Sequence, residues 1–423
     1  MLKSNKNQLK RRKVVYLDYA SGALSAEANP GGIHEISMKE KNKLENARAT
    51  ITRILGAHSY EIIFTSGATE ANNLAIQGIV LKFWELSSQV GAKLPKLPHI
   101  ITTNIEHASV LEVCRHLEET KQAEVTYVEV ERNGIVDPKK IKKAIKPNTV
   151  LVSVMYANNE IGTIQPISEI AKEVRHFNKM NSLGHRPTGE AQKVFFHTDA
   201  TQAINYLPIR VEKLGVDLMS FNGAKIYGPK GVGILYVKKN TPIKKIMFGG
   251  NQEFGLRPGT ENVAFATSIA KALQEVEKIK NKEFARLTKL RDYFFEQLAQ
   301  IFFFSGFPAT QRQSLKKGNL GELAINGDLK NRLPNNINIT IPGIPSDLLV
   351  IELSARGIMA AAKSACKSGD GKASHVIEAI NKDIKDTDGS LRFSLGRSTT
   401  KKDIEYTVKS LSEILQKLKR WYN

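Results

Sequence analysis

Two side chains set the chemistry that this sequence could perform. Asp199 closes one apolar run in His197-Thr-Asp-Ala-Thr-Gln202, and Lys225 stands just past a second in Asp217-Leu-Met-Ser-Phe-Asn-Gly-Ala-Lys-Ile-Tyr-Gly-Pro-Lys-Gly231. An acid can keep a pyridine nitrogen protonated and its ring electron-withdrawing. A lysine amine can hold an aldehyde as a Schiff base until a substrate amine displaces it. Together they are the grip a protein uses for pyridoxal phosphate. Taken singly, Asp199 reads equally well as a helix N-cap and Lys225 as a solvated lysine at a strand end. Gln202, one turn past Asp199, and the turn Gly228-Pro-Lys-Gly231, which pins the backbone after the lysine, favour the chemical reading.

The elements that must position these residues follow from periodicity. Short β-branched runs at 14–17, 61–64, 99–102, 150–155, 194–197, 218–221 and 233–237 alternate with helical stretches. This predicts an α/β fold with a largely parallel sheet covered by helices. Leu44, Ala47, Ile51, Ile54 and Leu55 recur at helical spacing over 38–55, and Asp137-Pro138 supplies an N-cap and a first-position proline. A long helical pattern over 262–301 leads out of the first domain. It is followed by a strand at 336–341, a helix from Ser346, a strand-like 391–395 and a basic C-terminal helix. Stretches 87–98 and 181–191 read as surface insertions. The expected organisation is a basic disordered tail (1–13), a large domain (14–260) and a smaller α+β domain (261–423).

Ligands of open α/β sheets lie beyond the carboxyl ends of the strands, so the residues after each strand should converge. Ser66, Gly67, Ala68 and Thr69 offer N–H groups and a hydroxyl at a helix N-terminus, a phosphate cradle by geometry and otherwise a plain N-cap turn. His107 opens a helix and could stack on a ring or move a proton. Asn158 and Asn159 follow a fully apolar strand, where amides need partners such as a carboxylate or a phenolic oxygen. Arg397, after the last strand, is a candidate fork for a substrate carboxylate, or a surface arginine.

Composition narrows the class. The chain has 423 residues, 41% hydrophobic and 25% charged, which fits a soluble globular protein of two domains. No apolar run is long enough to span a membrane and no signal peptide opens the chain, so a cytoplasmic protein is expected. Cys114 and Cys366 are too few for a disulfide framework or a metal cluster, and no metal is expected. Cys114 lies in an apolar helical pattern and should be inert. Cys366 lies in a Gly- and Lys-containing loop, where a thiol is more often reactive. The net charge of +20 is spread over helix faces, and only Lys10-Arg-Arg-Lys13 is dense. A weak polyanion contact through this basic surface stands beside a simply solvated one.

With these pieces assembled, the chain resembles the cysteine desulfurases of the NifS/IscS-like group, pyridoxal-phosphate enzymes of fold type I in the class V aminotransferase superfamily. The motifs run in order: Tyr16-Leu-Asp-Tyr-Ala20, Asn29-Pro-Gly-Gly-Ile-His34, Phe64-Thr-Ser-Gly-Ala-Thr-Glu-Ala-Asn72, Asn158-Asn-Glu-Ile-Gly162, Asp199-Ala-Thr-Gln202, Gly255-Leu-Arg-Pro-Gly-Thr-Glu-Asn262, Ser364-Ala-Cys366 and Arg392-Phe-Ser-Leu-Gly-Arg397. The resemblance implies a mainly parallel seven-stranded sheet in the large domain. It makes Lys225 the Schiff-base lysine, Asp199 the partner of the pyridine nitrogen and Gln202 a contact to the ring oxygen. His107 would lie over the ring. Ala68 and Thr69 would hold the phosphate, joined by Thr260 from a second subunit of a homodimer. Asn158 and Arg397 would take the substrate carboxylate. Cys366 would attack the sulfur of L-cysteine, releasing L-alanine and keeping a persulfide for an acceptor such as an iron–sulfur scaffold or a tRNA-thiolation enzyme. A selenocysteine lyase or another β-lyase, and a non-catalytic scaffold binding an acceptor or RNA, remain open beside this reading.

Three departures stand out. The family usually has Ser-Gly-His-Lys before the lysine, where this chain has Asn222-Gly-Ala-Lys225, so two phosphate contacts change and Asn222 should carry more of the grip. Asp18 and Asn29 are closer together than in the family, by roughly one surface helix. Lys363 replaces a usual glycine in the Cys366 loop. Lys363 and Lys367 beside the thiol should favour the thiolate.

Overall fold

The computed structural model describes residues 28–89, 96–183, 193–301, 303–305, 322–362, 374–384 and 388–422. The expected strand at 14–17, the basic tail and Cys366 lie outside them. Seven strands form the main sheet: β1 (Ile62–Thr65), β2 (His99–Thr103), β3 (Glu124–Val128), β4 (Thr149–Ser153), β5 (Phe195–Asp199), β6 (Leu218–Asn222) and β7 (Gly233–Val237). Their order is β1-β7-β6-β5-β4-β2-β3. Neighbours from β3 to β6 pair parallel, whereas β7 runs antiparallel to both β6 and β1. β1 to β6 therefore all point the same way. Most of these strands are buried along their whole length, as expected of a sheet covered on both faces. The edge strand β3, Glu-Val-Thr-Tyr-Val, is only partly buried and lacks an apolar run, which is why periodicity passes over it.

The covering helices are α1 (Glu35–Leu55), α2 (Ala68–Gln89), α3 (Ala108–Glu119), α4 (Pro138–Ala144), α5 (Ile167–Leu183) and α6 (Val211–Leu214). α1 buries Leu44, Ala47, Ile51 and Leu55 and ends at Gly56, whose φ of 72° a glycine adopts without penalty. Asp137 caps α4 by accepting from Lys139 N, with Pro138 at the first position. α2 and α5 run into the stretches read as surface insertions, to Gln89 and Leu183. Cys114 is fully buried in α3, and burial pushes its thiol up to about 12.

α7 (Val263–Ile301) packs along α1 and leads to a second sheet, β8 (Phe303–Ser305), β9 (Glu322–Ile325), β10 (Asn336–Ile341) and β11 (Gly389–Ser394), ordered β11-β10-β9-β8. It is antiparallel except between β8 and β9. α8 (Ser346–Ser354), α9 (His375–Ile380) and α10 (Lys401–Tyr422) surround it. Ile404, Val408, Leu411, Leu415 and Leu418 of α10 are buried at helical spacing. The two sheets are stitched by the turn after β4. Asn336 and Asn338 donate to Glu160 O, and Gly162, at φ 71°, comes so close to Asn336 that a Cβ there would stand 2.6 Å from it. Among the described residues no helix is long and apolar enough to cross a membrane.

Candidate active site

Because β1 to β6 share a direction, their carboxyl ends meet along one edge of the sheet. There the segments after β1, β2, β4, β5 and β6 enclose a cavity of about 360 Å³, within the range of small-ligand sites. Ala68, Thr69, His107, Asp199, Gln202, Asn222 and Lys225 all line it.

One end of the cavity is the start of α2. Thr65 Oγ1 donates to Gly67 O at 3.0 Å and Ser66 N to Glu70 Oε2 at 2.6 Å, so the turn folds back on its own helix. Arg257 Nε holds the other Glu70 oxygen at 3.0 Å. A Cβ on Gly233 would stand 2.5 Å from Gly67 C, so glycine at the start of β7 lets that strand pack against the turn. The first N–H groups of α2 lack helical partners and, with the helix dipole, suit an anion.

Lys225 sits in a single 3-10 turn, Gly223–Ile226, that follows β6. Asn222 caps it, its Oδ1 accepting from Lys225 N at 3.1 Å. Tyr227 ends the turn in the left-handed region at φ 60°. Ala224, directly before the lysine, also lines the cavity and brings only a methyl.

Asp199, at the end of β5, is 6% exposed and held from two sides. Asn72 Nδ2 donates to Oδ2 at 2.8 Å and Thr201 N to Oδ1 at 2.9 Å. His107 is the N-cap of α3, its Nδ1 accepting from Ser109 N at 3.1 Å. Behind it Glu106 is fully buried. Both its oxygens accept from Met155 N and Oε1 accepts from Thr103 Oγ1. Burial pushes Glu106 up to about 8.

Of the sequence-derived site residues, Ser66, Gly67, Asn158, Thr260 and Arg397 do not line this cavity. The Asn158 amide is spent on its own surroundings, donating to Ile105 O at 2.9 Å and accepting from Glu160 N and Ile161 N. Asn159, its neighbour, faces the cavity instead. Thr260 is exposed on the loop before α7. Arg397 is also exposed, its guanidinium 3.9 Å from the Tyr227 ring, beside a small pocket behind that tyrosine. The arginine on the main cavity wall is Arg392 of β11, and burial lowers its pKa. Its Nη1 donates to Asn159 O at 3.0 Å. The signal for Arg392 was in the sequence: in Ser-Leu-Arg-Phe-Ser, Leu391 and Phe393 face the core and the arginine between them must face the other way.

Three buried polar atoms on the cavity wall have no hydrogen-bond partner among the described residues: Thr201 Oγ1, Asn335 Oδ1 and Arg392 Nε. Buried polar groups are normally paired, so this wall is shaped for a polar ligand. Of the residues that bracket Cys366, one side is tied to the wall and the other to residues behind it. Ala361 exchanges backbone hydrogen bonds with Arg392, at 2.7 and 3.1 Å. On the other side His375 Nε2 donates to Glu106 O at 3.1 Å and Ser374 Oγ to Glu160 Oε2.

A mostly parallel sheet whose strand ends gather a lysine, a braced aspartate and a histidine defines a class of group-transfer enzyme fold. Residues 10–407 match the family described as Aminotransferase class-V, and the chain belongs to that family. Within it the chain is similar to cysteine desulfurases. The cysteine desulfurase IscS of Dictyoglomus turgidum is 39% identical over 422 residues, covering 96% of each chain. That of Methanosarcina thermophila is 39% identical, covering 92% of this chain and 86% of its own. Among solved structures, a NifS-like protein superposes with a TM-score of 0.76 at 32% identity, covering 92% of each chain. The structure of SspA in complex with cysteine gives a TM-score of 0.65 at 30% identity, covering 87% of this chain and 90% of its own.

Proposed function

We propose that the protein is a cysteine desulfurase that uses pyridoxal 5'-phosphate, converts L-cysteine to L-alanine and passes the sulfur on from Cys366. The observation that carries this reading is the meeting of Lys225, Asp199, His107 and the α2 N-terminus in one cavity, with Arg392 also on its wall. The residues fit the cofactor. Its phosphate would lie at Ala68, Thr69 and Asn222, its ring nitrogen at Asp199, its ring oxygen at Gln202 and its aldehyde at Lys225. When bound, pyridoxal phosphate supplies the electron sink that makes the bonds at the substrate Cα and Cβ labile.

The chain's own residues do the rest. Arg392 and Asn159 orient the substrate carboxylate through charge-assisted hydrogen bonds. Lys225, with its amine free, would take the proton from Cα. The Cys366 thiolate attacks the substrate sulfur, a sulfur–sulfur bond forms as the carbon–sulfur bond breaks, the methylene carbon takes up a proton, and Lys225 returns a proton to Cα to give alanine. The flanks of the Cys366 segment lie at Arg392 and Glu106, which supports a thiol within reach of the cavity. The reading carries with it a homodimer, a cytoplasmic setting and an acceptor protein for the persulfide, in iron–sulfur cluster assembly or tRNA thiolation.

The test is anaerobic incubation with L-cysteine, measuring alanine and protein persulfide beside Lys225→Ala and Cys366→Ala. Alanine and persulfide in equal amounts, lost in both variants, are expected. Pyruvate and ammonia would assign a β-eliminating lyase instead, and no turnover would leave a scaffold.

A further inference from the structure

Beneath the cavity floor one hydrogen-bonded chain crosses five elements, α2, α3, β4, β5 and β6, with Asn72 at its centre. Asn72 is fully buried in the first turns of α2. Its Nδ2 donates to Asp199 Oδ2 and to Ser109 Oγ, each at 2.8 Å, and its Oδ1 accepts from Ser220 Oγ. A carboxylate can only accept, so the amide edge facing Asp199 must be the NH2 group. That decides every other proton. The Ser220 hydroxyl hydrogen goes to Asn72, so Ser220 Oγ receives the N–H of His197 Nε2 at 3.1 Å. His197 Nδ1 in turn receives the Ser153 hydroxyl at 2.9 Å. Burial pushes His197 down to about 4 against the pull of Asp199, which agrees with the neutral ring this pattern requires. On the other side Ser109 Oγ has accepted from Asn72 and is left to donate to His107 Nδ1 at 2.8 Å. The same nitrogen accepts the Ser109 backbone N–H, so the ring proton of neutral His107 sits on Nε2.

We propose that Asn72 is a positioning residue: it aims the Asp199 carboxylate and, through Ser220, fixes the Nε2–H tautomer of His197 beneath it, so that the acid meets the cofactor ring in one orientation. The proposal rests on the reading of the cavity as a cofactor site, and its mechanism needs no group outside the chain. Asn72→Leu keeps nearly the same volume and removes all three hydrogen bonds. Ser220→Ala is gentler and removes the hydroxyl through which Asn72 reaches His197.

The deciding measurement is imidazole nitrogen-15 NMR on cofactor-free protein labelled at histidine, with the His197 signals assigned by loss in His197→Gln. The unaltered protein should show His197 protonated at Nε2, and Asn72→Leu a mixture of tautomers, because the Ser220 hydroxyl is then free to donate to the ring. Ser220→Ala, which removes the acceptor at Nε2, should move the same way and carries the test if Asn72→Leu does not fold. A second readout is the Kd of pyridoxal phosphate for cofactor-free protein. Asn72→Leu should weaken it about ten-fold, the size of one charge-assisted hydrogen bond, but less than about two-fold in an Asp199→Ala background. An unchanged His197 tautomer in a folded variant, or equal losses in both backgrounds, would overturn the proposal. If the unaltered protein takes up no pyridoxal phosphate, the reading of the cavity fails instead, and the tautomer measurement still decides the role of Asn72.

Discussion

Ala224 and Arg392 are the residues whose side chains most distinguish how this cavity should bind. Ala224 lines the wall beside Lys225 and offers no donor where the family usually has histidine. Ala224→His should lower the Kd of pyridoxal phosphate about ten-fold or more, since one charge-assisted hydrogen bond is worth about 1.5–3 kcal/mol. An unchanged Kd in an equilibrium titration would remove Ala224 from any account of cofactor retention. The two arginines make opposite claims on the substrate. Arg392→Ala should reduce kcat/KM for L-cysteine by about 10- to 100-fold, while Arg397→Ala, which loses a stack on the outer face of Tyr227, should stay within a few-fold. Steady-state kinetics with the reverse ranking would return the carboxylate to Arg397. The two thiols should separate in alkylation. Cys114, buried and pushed up to about 12, should react only after unfolding. Cys366, flanked by Lys363 and Lys367, should react with a midpoint below the free-thiol value of about 8.5. A midpoint at or above that value would show that the lysines do not stabilise the thiolate.

At the scale of elements, the turns after β2 and β4 are joined by a carboxyl group. Glu106 accepts from Met155 N and from Thr103, and its backbone carbonyl accepts from His375 at the edge of the Cys366 segment. Burial, helped by the charge of Asp199, pushes Glu106 up to about 8. Its folded value thus lies above the unfolded value of about 4.3, so the folded protein binds the additional proton between them. The stability contributed by Glu106 is full below the unfolded value and is lost as pH rises through the folded one. Glu106→Gln keeps an acceptor for Met155 and cannot ionise. Its urea midpoint should therefore gain on the unaltered protein from about pH 5 to pH 8. A constant difference across that range would show that Glu106 does not titrate in this window.

At the scale of the whole molecule, one loop faces away from the site its sequence resemblance assigns it to. The loop that carries Thr260 is anchored by the buried pair Arg48–Glu253, at 2.8 Å, with Arg48 between the rings of Phe64 and Phe254. Glu253 and Phe254 both have positive φ, so this anchor holds a turn that non-glycine residues seldom adopt. Thr260 itself is exposed and absent from the cavity of its own chain. In the proposed homodimer it would serve the partner's cofactor. Lys225→Ala and Thr260→Ala chains co-expressed should then regain desulfurase activity that neither has alone, because one site of the mixed dimer receives both wild-type residues. Failure to recover any activity would place Thr260 in its own chain's site or in none.

The repeat of apolar strands and amphipathic helices, and the polar residues placed just after the strands, were legible in the sequence because they are local. A buried parallel strand must be a continuous apolar run, and its carboxyl end is where ligands bind. Of the residues named on that ground, Ala68, Thr69, His107, Asp199, Gln202 and Lys225 line one cavity, as does Asn222. What only the tertiary structure decided is which neighbour turns inward. Asn158 and Asn159 are equivalent on paper, and the hydrogen bonds of the β4 turn spend the first and expose the second. Arg392 and Arg397 share one motif, and strand alternation combined with the docking of β11 puts the former on the wall. The role of Asn72 was likewise hidden, because its partners Ser109, Asp199 and Ser220 come from three separate stretches of chain and meet only when the sheet forms.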